Sequence, residues 1–257
     1  MKIYSTARRT FIKKQVILLK LAIFDLDNTL LHGDSDYAWG QFLVEQGLVD
    51  GVAYERDNRR YYELYQSGAL DIMEFLAFAL APLARHEREL LERLRRQFVR
   101  ERIRPMITPA ACALVDSHRA RGDILVIVTA TNRFVTEPIA GEFRIEHLIA
   151  TDLEECEGRF TGKVRGTPCF REGKVERLRT WALERGLDLE QGWFYSDSHN
   201  DLPLLSQVAH PVAVNPDPTL LRYAEHQGWP VLDLHPLAHP ETKDASRRDQ
   251  HGDGKPE

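Results

Sequence analysis

The sequence contains little cysteine, no long apolar run and no excess of positive charge. Its three cysteines, Cys112, Cys156 and Cys169, are an odd number without CxxC spacing, which argues against a disulfide framework and a zinc site. No stretch approaches the roughly 20 consecutive apolar residues that a membrane-spanning helix requires. The net charge of −5 gives no electrostatic footprint for nucleic acid or anionic membranes. We therefore expect a cytoplasmic protein that binds neither, and the sequence does not indicate its oligomeric state.

The chain has an ordinary globular composition, but its N-terminal and C-terminal segments differ from the rest. Its 257 residues are 43% apolar and 28% charged, enough for one large domain or two smaller ones. A basic segment precedes apolar residues 16–19 and superficially resembles a signal peptide, but Lys20 interrupts the run and no small-residue cleavage site follows. Residues 1–15 are therefore predicted to be a loose extension. Residues 238–257 contain no aromatic residue and no aliphatic side chain larger than alanine, which predicts a disordered tail.

Two aspartates follow the first buried strand that the sequence predicts. The apolar run at residues 16–24, broken only by Lys20, is typical of a strand in a parallel sheet. Asp25 and Asp27 come at its carboxyl end, where open α/β sheets bind their ligands. Because side chains alternate along an extended chain, the two carboxylates are expected to point to opposite sides. One is then available to attack a substrate while the other handles protons or a metal; a polar turn without catalytic function is the alternative.

Residues 34–104 show a helical pattern without a strand signal. Four helices are predicted, the third of which begins after the N-cap residue Asp71, with Glu74 three residues later. Pro82 is expected to separate this helix from a long fourth helix that covers residues 85–102. The arginines of the fourth helix are interleaved with glutamates, which indicates a solvated face rather than a nucleic-acid site. The stretch is thus predicted to be an all-helical insert.

From residue 105 to residue 237, predicted strands alternate with helices. The predicted strands are residues 124–128, 193–195, 211–214 and 230–232. Residues 150–164 are interpreted as a β-hairpin that turns at Glu157 and Gly158. This alternation favours an α/β fold with a doubly wound, mainly parallel, Rossmann-like sheet and right-handed crossovers.

Reactive polar side chains follow three of the predicted strands. They are Asp25 and Asp27, Thr129 and Asn132, and Asp197, Asn200 and Asp201. Sheet topology brings such strand ends together, and several carboxylates in one cleft require a cation. Aspartates with few soft ligands nearby suit Mg²⁺. A phosphate needs a hydroxyl and an ammonium, supplied by Thr129 and Lys174, with Lys163 as the alternative lysine. We therefore predict a Mg²⁺-assisted phosphoryl-transfer site.

These motifs resemble those of the haloacid dehalogenase-like (HAD) superfamily. The stretch DLDNTL at residues 25–30 is similar to its first motif, Thr129 to its second, Lys174 to its third, and SDSHND at residues 196–201 to its fourth. The order and separations agree over residues 18–235. A helical insert between the first and second motifs is typical of subfamily IB, the phosphoserine-phosphatase-like group.

The resemblance implies a domain organisation and a role for each motif residue. The HAD core would comprise residues 16–33 and 105–237, and a C1-type helical cap would comprise residues 34–104. Asp25 would be the nucleophile that forms an aspartyl-phosphate, and Asp27, an acid that dehalogenases lack, would donate and accept the protons. The expected ligands of Mg²⁺ are Asp25, the backbone carbonyl of Asp27, Asp197 and, through the metal's waters, Asp201. The expected phosphate-binding residues are Thr129, Lys174 and Asn200.

The resemblance also suggests a substrate, a small phosphorylated metabolite of amino-acid biosynthesis. Asp34 lies nine residues after Asp25, where phosphoserine phosphatases have a glutamate that holds the substrate's amino group. Those enzymes also have a cap arginine for the substrate carboxylate; Ala79 stands at the similar position here, with Arg59 and Arg60 as candidate replacements. An amine-bearing phosphomonoester without a carboxylate fits better, with L-histidinol phosphate first and phosphoserine second. A HAD phosphotransferase and a non-catalytic regulatory protein of the same fold are the remaining alternatives.

Overall fold

The computed structural model of the protein describes residues 20–235. Residues 1–15 and 238–257, predicted to be a loose extension and a disordered tail, lie outside this range. The strands are, in chain order, β1 (Leu21–Phe24), β2 (Ile124–Asn132), β3 (His147–Thr151), β4 (Leu153–Cys156), β5 (Arg159–Val164), β6 (Trp193–Ser196), β7 (His210–Val214) and β8 (Val231–Leu232). The α-helices are α1 (Ser35–Glu45), α2 (Gly51–Gln66), α3 (Ile72–Arg85), α4 (Arg88–Phe98), α5 (Arg104–Met106), α6 (Pro109–Arg121), α7 (Arg133–Glu142), α8 (Glu172–Glu184), α9 (Leu202–Leu205) and α10 (Pro218–Gln227). Within the described range, no helix combines the length and the apolar character needed to cross a membrane.

Six of the strands form one sheet in the order β3-β2-β1-β6-β7-β8, and every pair of neighbours is parallel. Counted along the chain within this sheet, the order is 3-2-1-4-5-6, which is that of a doubly wound Rossmann-type fold. The predicted fold class is therefore confirmed. The order reverses between β1 and β6, and such a switch point leaves a ligand-binding crevice outside the carboxyl ends of the strands.

Strand β1 is buried on both faces and thereby fixes the position of the residues that follow it. Its side chains alternate between two apolar clusters, with Ala22 and Phe24 in one and Leu21 and Ile23 in the other. All four are fully buried, which explains the continuous apolar run in the sequence. Asp25 is the first polar side chain of this segment, and it lies at the carboxyl end of β1, beside the switch point.

The segment between β1 and β2 is helical, as predicted, and α3 begins after Asp71, whose carboxylate accepts two backbone N–H groups. Two details differ from the expectation. Pro82 does not end the helix but lies in the last turn of α3. It is tolerated there because it removes only one backbone hydrogen bond and its ring is buried. The fourth helix is shorter than predicted, since α4 ends at Phe98 and continues into a π-helical turn, Val99–Ile103. The division into a core and a cap domain remains a prediction.

The predicted hairpin consists of β4 and β5, which pair antiparallel and turn at Glu157 and Gly158, both with positive φ angles. Its predicted start at Ala150 is wrong, because Ala150 and Thr151 belong to β3, which pairs with β2 in the main sheet. Only Asp152 separates β3 from β4, so the two strands look like one extended run in the sequence. Strand β5 packs against α3 and so connects the hairpin to the helical segment.

Candidate active site

Asp25 and Asp197 lie on the two sides of the switch point, at the ends of β1 and β6. Both are buried, with exposed fractions of 3% and 8%. The Thr29 hydroxyl lies between them, 3.1 Å from Asp197 Oδ1 and 3.4 Å from Asp25 Oδ2, and it accepts the N–H of Asp197 at 3.0 Å. One hydroxyl thus holds the two carboxylates beside each other. The sequence interpretation did not single out Thr29, although its place four residues after Asp25 offered a signal.

Lys174 lies in the first turn of α8, and its side chain extends to the carboxylate of Asp25. Its side chain is 2% exposed, and Nζ donates to Asp25 Oδ1 and to Asp201 Oδ2, both at 2.7 Å. Burial works against the charge of this lysine, but the neighbouring Asp201 and Asp25 outweigh it and raise the pKa of Lys174. The ammonium is therefore retained. The alternative lysine, Lys163, is exposed on β5 and lies outside this cluster.

The cluster carries more negative than positive charge. Burial, together with the charge of Asp201, raises the pKa of Asp25 to about 7 despite the opposing effect of Lys174. Burial and the charges of Asp25 and Asp201 raise the pKa of Asp197 well above its ordinary value. If all three carboxyls were ionised beside one ammonium, two negative charges would be uncompensated. A divalent cation would balance them.

The donor set fits Mg²⁺, which binds through one or two carboxylates and keeps several waters. Asp25 and Asp197 provide two adjacent carboxylates, and the backbone carbonyl of Asp27 is the third expected protein ligand. The carboxylate of Asp201 is oriented by other partners, since its Oδ2 accepts hydrogen bonds from Lys174 Nζ and from the Ser196 hydroxyl, both at 2.7 Å. Between residues 20 and 235, no three His, Cys, Asp or Glu side chains are grouped to ligate one ion directly, which a site with two carboxylates, a carbonyl and waters does not require.

The carboxylate of Asp27 is held apart from this cluster. Its Oδ1 accepts the N–H of Ser35 at 2.6 Å, and its Oδ2 accepts the hydroxyls of Thr131 at 2.8 Å and Thr129 at 3.5 Å. Asp27 is thus fixed between the start of α1 and the end of β2. Thr131 was missed as a positioning residue. Its signal was the alternation along β2, which puts residues 129 and 131 on one side.

Asn200 connects the site to the helical segment. Its Oδ1 accepts Nε and Nη2 of Arg171 at 3.0 and 2.9 Å, and its Nδ2 donates to the backbone carbonyl of Tyr65 at 3.1 Å. Arg171 also donates to the carbonyl of Gly68, in the turn between α2 and α3. Nothing in the sequence pointed to Arg171, because these contacts join residues far apart in the chain. The predicted contact between Asn200 and a phosphate remains a prediction.

A cavity opens between the strand ends and helices α1–α3. Four carboxylates and a set of aromatic rings line it. The carboxylates are Asp25, Asp27, Asp34 and Asp36, and the rings are Tyr37, Tyr61, Tyr62, Tyr65, Phe75 and Phe170. Within the described part of the chain, no Lys, Arg or His side chain is among the lining residues.

The three predicted substrate residues occupy different places. Asp34 lines the cavity and is also the N-cap of α1, where its Oδ1 accepts the N–H of Tyr37 at 2.8 Å. Burial and the nearby charge of Asp27 raise the pKa of Asp34 well above its ordinary value. Arg59 and Arg60 do not line the cavity. Their side chains are more than half exposed, and Arg60 pairs with Glu74 at 2.9 Å.

Comparisons with known proteins agree with this geometry. The family model for haloacid dehalogenase-like hydrolases matches residues 22–206. The chain is 49% identical over 218 residues to a protein named histidinol-phosphatase from Neisseria meningitidis serogroup C (strain 8013), covering 83% of this chain and 98% of that protein. A solved structure of unknown function from Bordetella pertussis Tohama I is similar, with a TM-score of 0.80 and 46% identity over 84% of this chain and 99% of the other.

A phosphoserine phosphatase solved as a phospho-aspartyl intermediate analogue is more distant. It has a TM-score of 0.63 and 19% identity over 84% of this chain and 94% of the other, which is a likeness of fold alone. The match to the family model spans all four motifs and the helical insert. The predicted enzyme class, a phosphatase, is confirmed, and the chain belongs to the haloacid dehalogenase-like hydrolase family.

Proposed function

We propose that the protein is a Mg²⁺-dependent phosphomonoesterase that forms an aspartyl-phosphate on Asp25. The observation that carries this proposal is the buried contact of Asp25 with Lys174 at the switch point, beside a cavity. The Asp25 carboxylate attacks the phosphorus, while Lys174 and Thr129 bind oxygens of the transferring group and offset their charge. When bound, Mg²⁺ supplies further stabilisation of the negative charge on these oxygens.

Asp27 is proposed as the residue that moves the protons. Its carboxylate lines the cavity but is held by Thr131 and by the backbone of Ser35, away from Lys174. It would protonate the leaving oxygen as the ester bond to phosphorus breaks. It would then take a proton from the water that hydrolyses the phosphorylated Asp25, which restores the protonated form of Asp27 and the free carboxylate of Asp25.

We propose L-histidinol phosphate as the substrate. The similarity to a protein named histidinol-phosphatase, at 49% identity, supports this choice. The cavity supports it independently, because carboxylates and tyrosine rings suit an amine and an imidazole. The active site would thus act on a small phosphorylated metabolite with basic nitrogens.

Phosphoserine is the second candidate, and Asp34 supports it because Asp34 lines the cavity and resembles, in its sequence position, the amino-binding glutamate of phosphoserine phosphatases. A buried substrate carboxylate needs a cationic partner, and no Lys, Arg or His of the described chain lines the cavity. Arg59 and Arg60 would have to turn inward to provide one. Transfer of phosphate to an acceptor other than water is the remaining alternative, since the confirmed enzyme class argues against a non-catalytic role.

A panel of phosphorylated metabolites tests the proposal. The wild-type protein, Asp25→Asn and the control Asp116→Asn, whose side chain is 70% exposed, are compared for phosphate release with Mg²⁺ and with EDTA. We expect release from L-histidinol phosphate by the wild type and the control, and none by Asp25→Asn or in EDTA. Absence of Mg²⁺-dependent release from every compound would contradict the enzymatic proposal, whereas a preference for phosphoserine would contradict only the substrate.

We also propose a cytoplasmic location. All three cysteines, Cys112, Cys156 and Cys169, are free thiols in the structure, which supports a reducing compartment. Fractionation of the native host, with phosphatase activity as the readout, tests this.

A further inference from the structure

The part of the cavity formed by α1 holds a carboxylate for which the catalytic scheme has no use. Asp36 lies in the first turn of α1 and lines the cavity. Within residues 20–235, its side chain makes no hydrogen bond or ion pair, whereas Asp34 accepts the N–H of Tyr37 and so already caps the helix. An acid in the first turn stabilises a helix, but that contribution does not require Asp36 to face a cavity.

The charge of the cavity adds a second observation. Four carboxylates line it, and none of the described Lys, Arg or His residues does. A phosphate ester that enters brings further negative charge, which disfavours the ionised forms of Asp34 and Asp36, and these two residues lie outside the cluster around Lys174. Positive charge on the rest of the substrate would stabilise both carboxylates in their ionised form.

The surrounding rings indicate the kind of positive group. Tyr37 and Tyr62 contact each other, with ring centroids 5.0 Å apart, and both line the cavity next to Asp36. Aromatic faces beside a carboxylate bind organic cations, through the ring quadrupole and a charge-assisted hydrogen bond. A flat, basic ring fits these walls better than a hydrated ammonium.

We propose that Asp36 is a specificity-determining residue that binds a second basic group of the substrate, a protonated or hydrogen-bonding nitrogen of a ring. The substrate class is then a phosphomonoester with two basic groups. The basic group nearer to the phosphate faces Asp34, and the second, a ring, lies against Asp36, Tyr37 and Tyr62. This inference rests on the proposed phosphatase function and deepens it.

The test compares Asp36→Asn with wild type on two substrates, L-histidinol phosphate with two basic groups and O-phosphoethanolamine with one. We expect the ratio of their kcat/KM values to fall by about tenfold, the effect of one charge-assisted hydrogen bond, mainly through KM for histidinol phosphate. Glu89→Gln, which removes an exposed first-turn acid from α4, is the matched control and should leave the ratio unchanged.

Three results would overturn the inference: an unchanged ratio in Asp36→Asn, an equal loss on both substrates, or a wild type that does not prefer the substrate with two basic groups. Activity on O-phosphoethanolamine would leave the phosphatase proposal standing in each case. If neither ester is hydrolysed, calorimetric binding of L-histidinol to wild type and Asp36→Asn decides the role of Asp36, and the full panel of phosphorylated metabolites decides the phosphatase proposal. Weaker binding by the variant supports the inference, and equal binding refutes it.

Discussion

Replacement of Lys174 by methionine should remove activity and destabilise the fold. The lysine is 2% exposed, and its Nζ lies 2.7 Å from carboxylate oxygens of both Asp25 and Asp201, which are themselves buried. Without the ammonium, these largely buried carboxylates lose their cationic partner. Breaking a buried ion pair on one side costs about 3–5 kcal/mol, which for a chain of this size lowers the melting temperature by about 10 °C.

The loss should depend on pH in a defined direction. The folded-state pKa of Asp25 is already raised to about 7, above the unfolded value of about 3.9, and removal of Lys174 raises it further. A carboxyl of this kind contributes stability at low pH that is lost as the pH rises through the folded-state pKa. The difference in melting temperature between wild type and Lys174→Met should therefore be larger at about pH 8 than at about pH 5.

Differential scanning calorimetry at both pH values checks this. Lys163→Met, which changes an exposed lysine of β5, is the matched control and should melt like the wild type. If Lys174→Met melts at the wild-type temperature, or loses more at low pH than at high pH, the electrostatic reasoning is wrong.

Three further predictions concern other parts of the site. Thr131→Val removes the 2.8 Å hydrogen bond to Asp27 and should lower kcat by about tenfold with little change in KM, as measured by steady-state kinetics. Addition of Mg²⁺ should raise the melting temperature because it compensates the buried carboxylates, and EDTA should reverse the rise. Gly68→Ala should lower the melting temperature more than Gly122→Ala: both glycines have positive φ, but only at Gly68 would a Cβ lie 2.5 Å from His199 Nε2. Equal shifts would show that backbone strain alone matters.

Those parts of the fold and the site that depend on a local sequence pattern could be predicted from the sequence. The continuous apolar run of β1 and the polar residues at the ends of β1, β2 and β6 predicted the parallel sheet and where its reactive groups meet. Lys174 was recognised from its order among the motifs, before its contacts with two carboxylates were visible. These signals are local because a buried strand and the turn after it are specified by adjacent residues.

The rest depends on contacts between distant residues, which periodicity does not encode. Strand β3 was missed because it is short and runs almost directly into the hairpin. The position of Pro82 inside α3 follows from burial of its ring in the folded protein. The packing of α2 turns Arg59 and Arg60 to the outside and Tyr61 to the cavity. Arg171 has a defined role only once α2 and the loop after β6 have come together.

The contacts around Gly68 have a consequence for the evolution of this chain. Arg171 and Asn200 bind the end of α2 and the following turn, and the ring of His199 lies where a side chain at position 68 would be. The side chains that these two segments can accept therefore depend on each other, although the segments are more than a hundred residues apart in sequence. A homologue with a side chain at the position of Gly68 should have a smaller residue at the position of His199, so that the two positions covary although neither touches the reacting atoms.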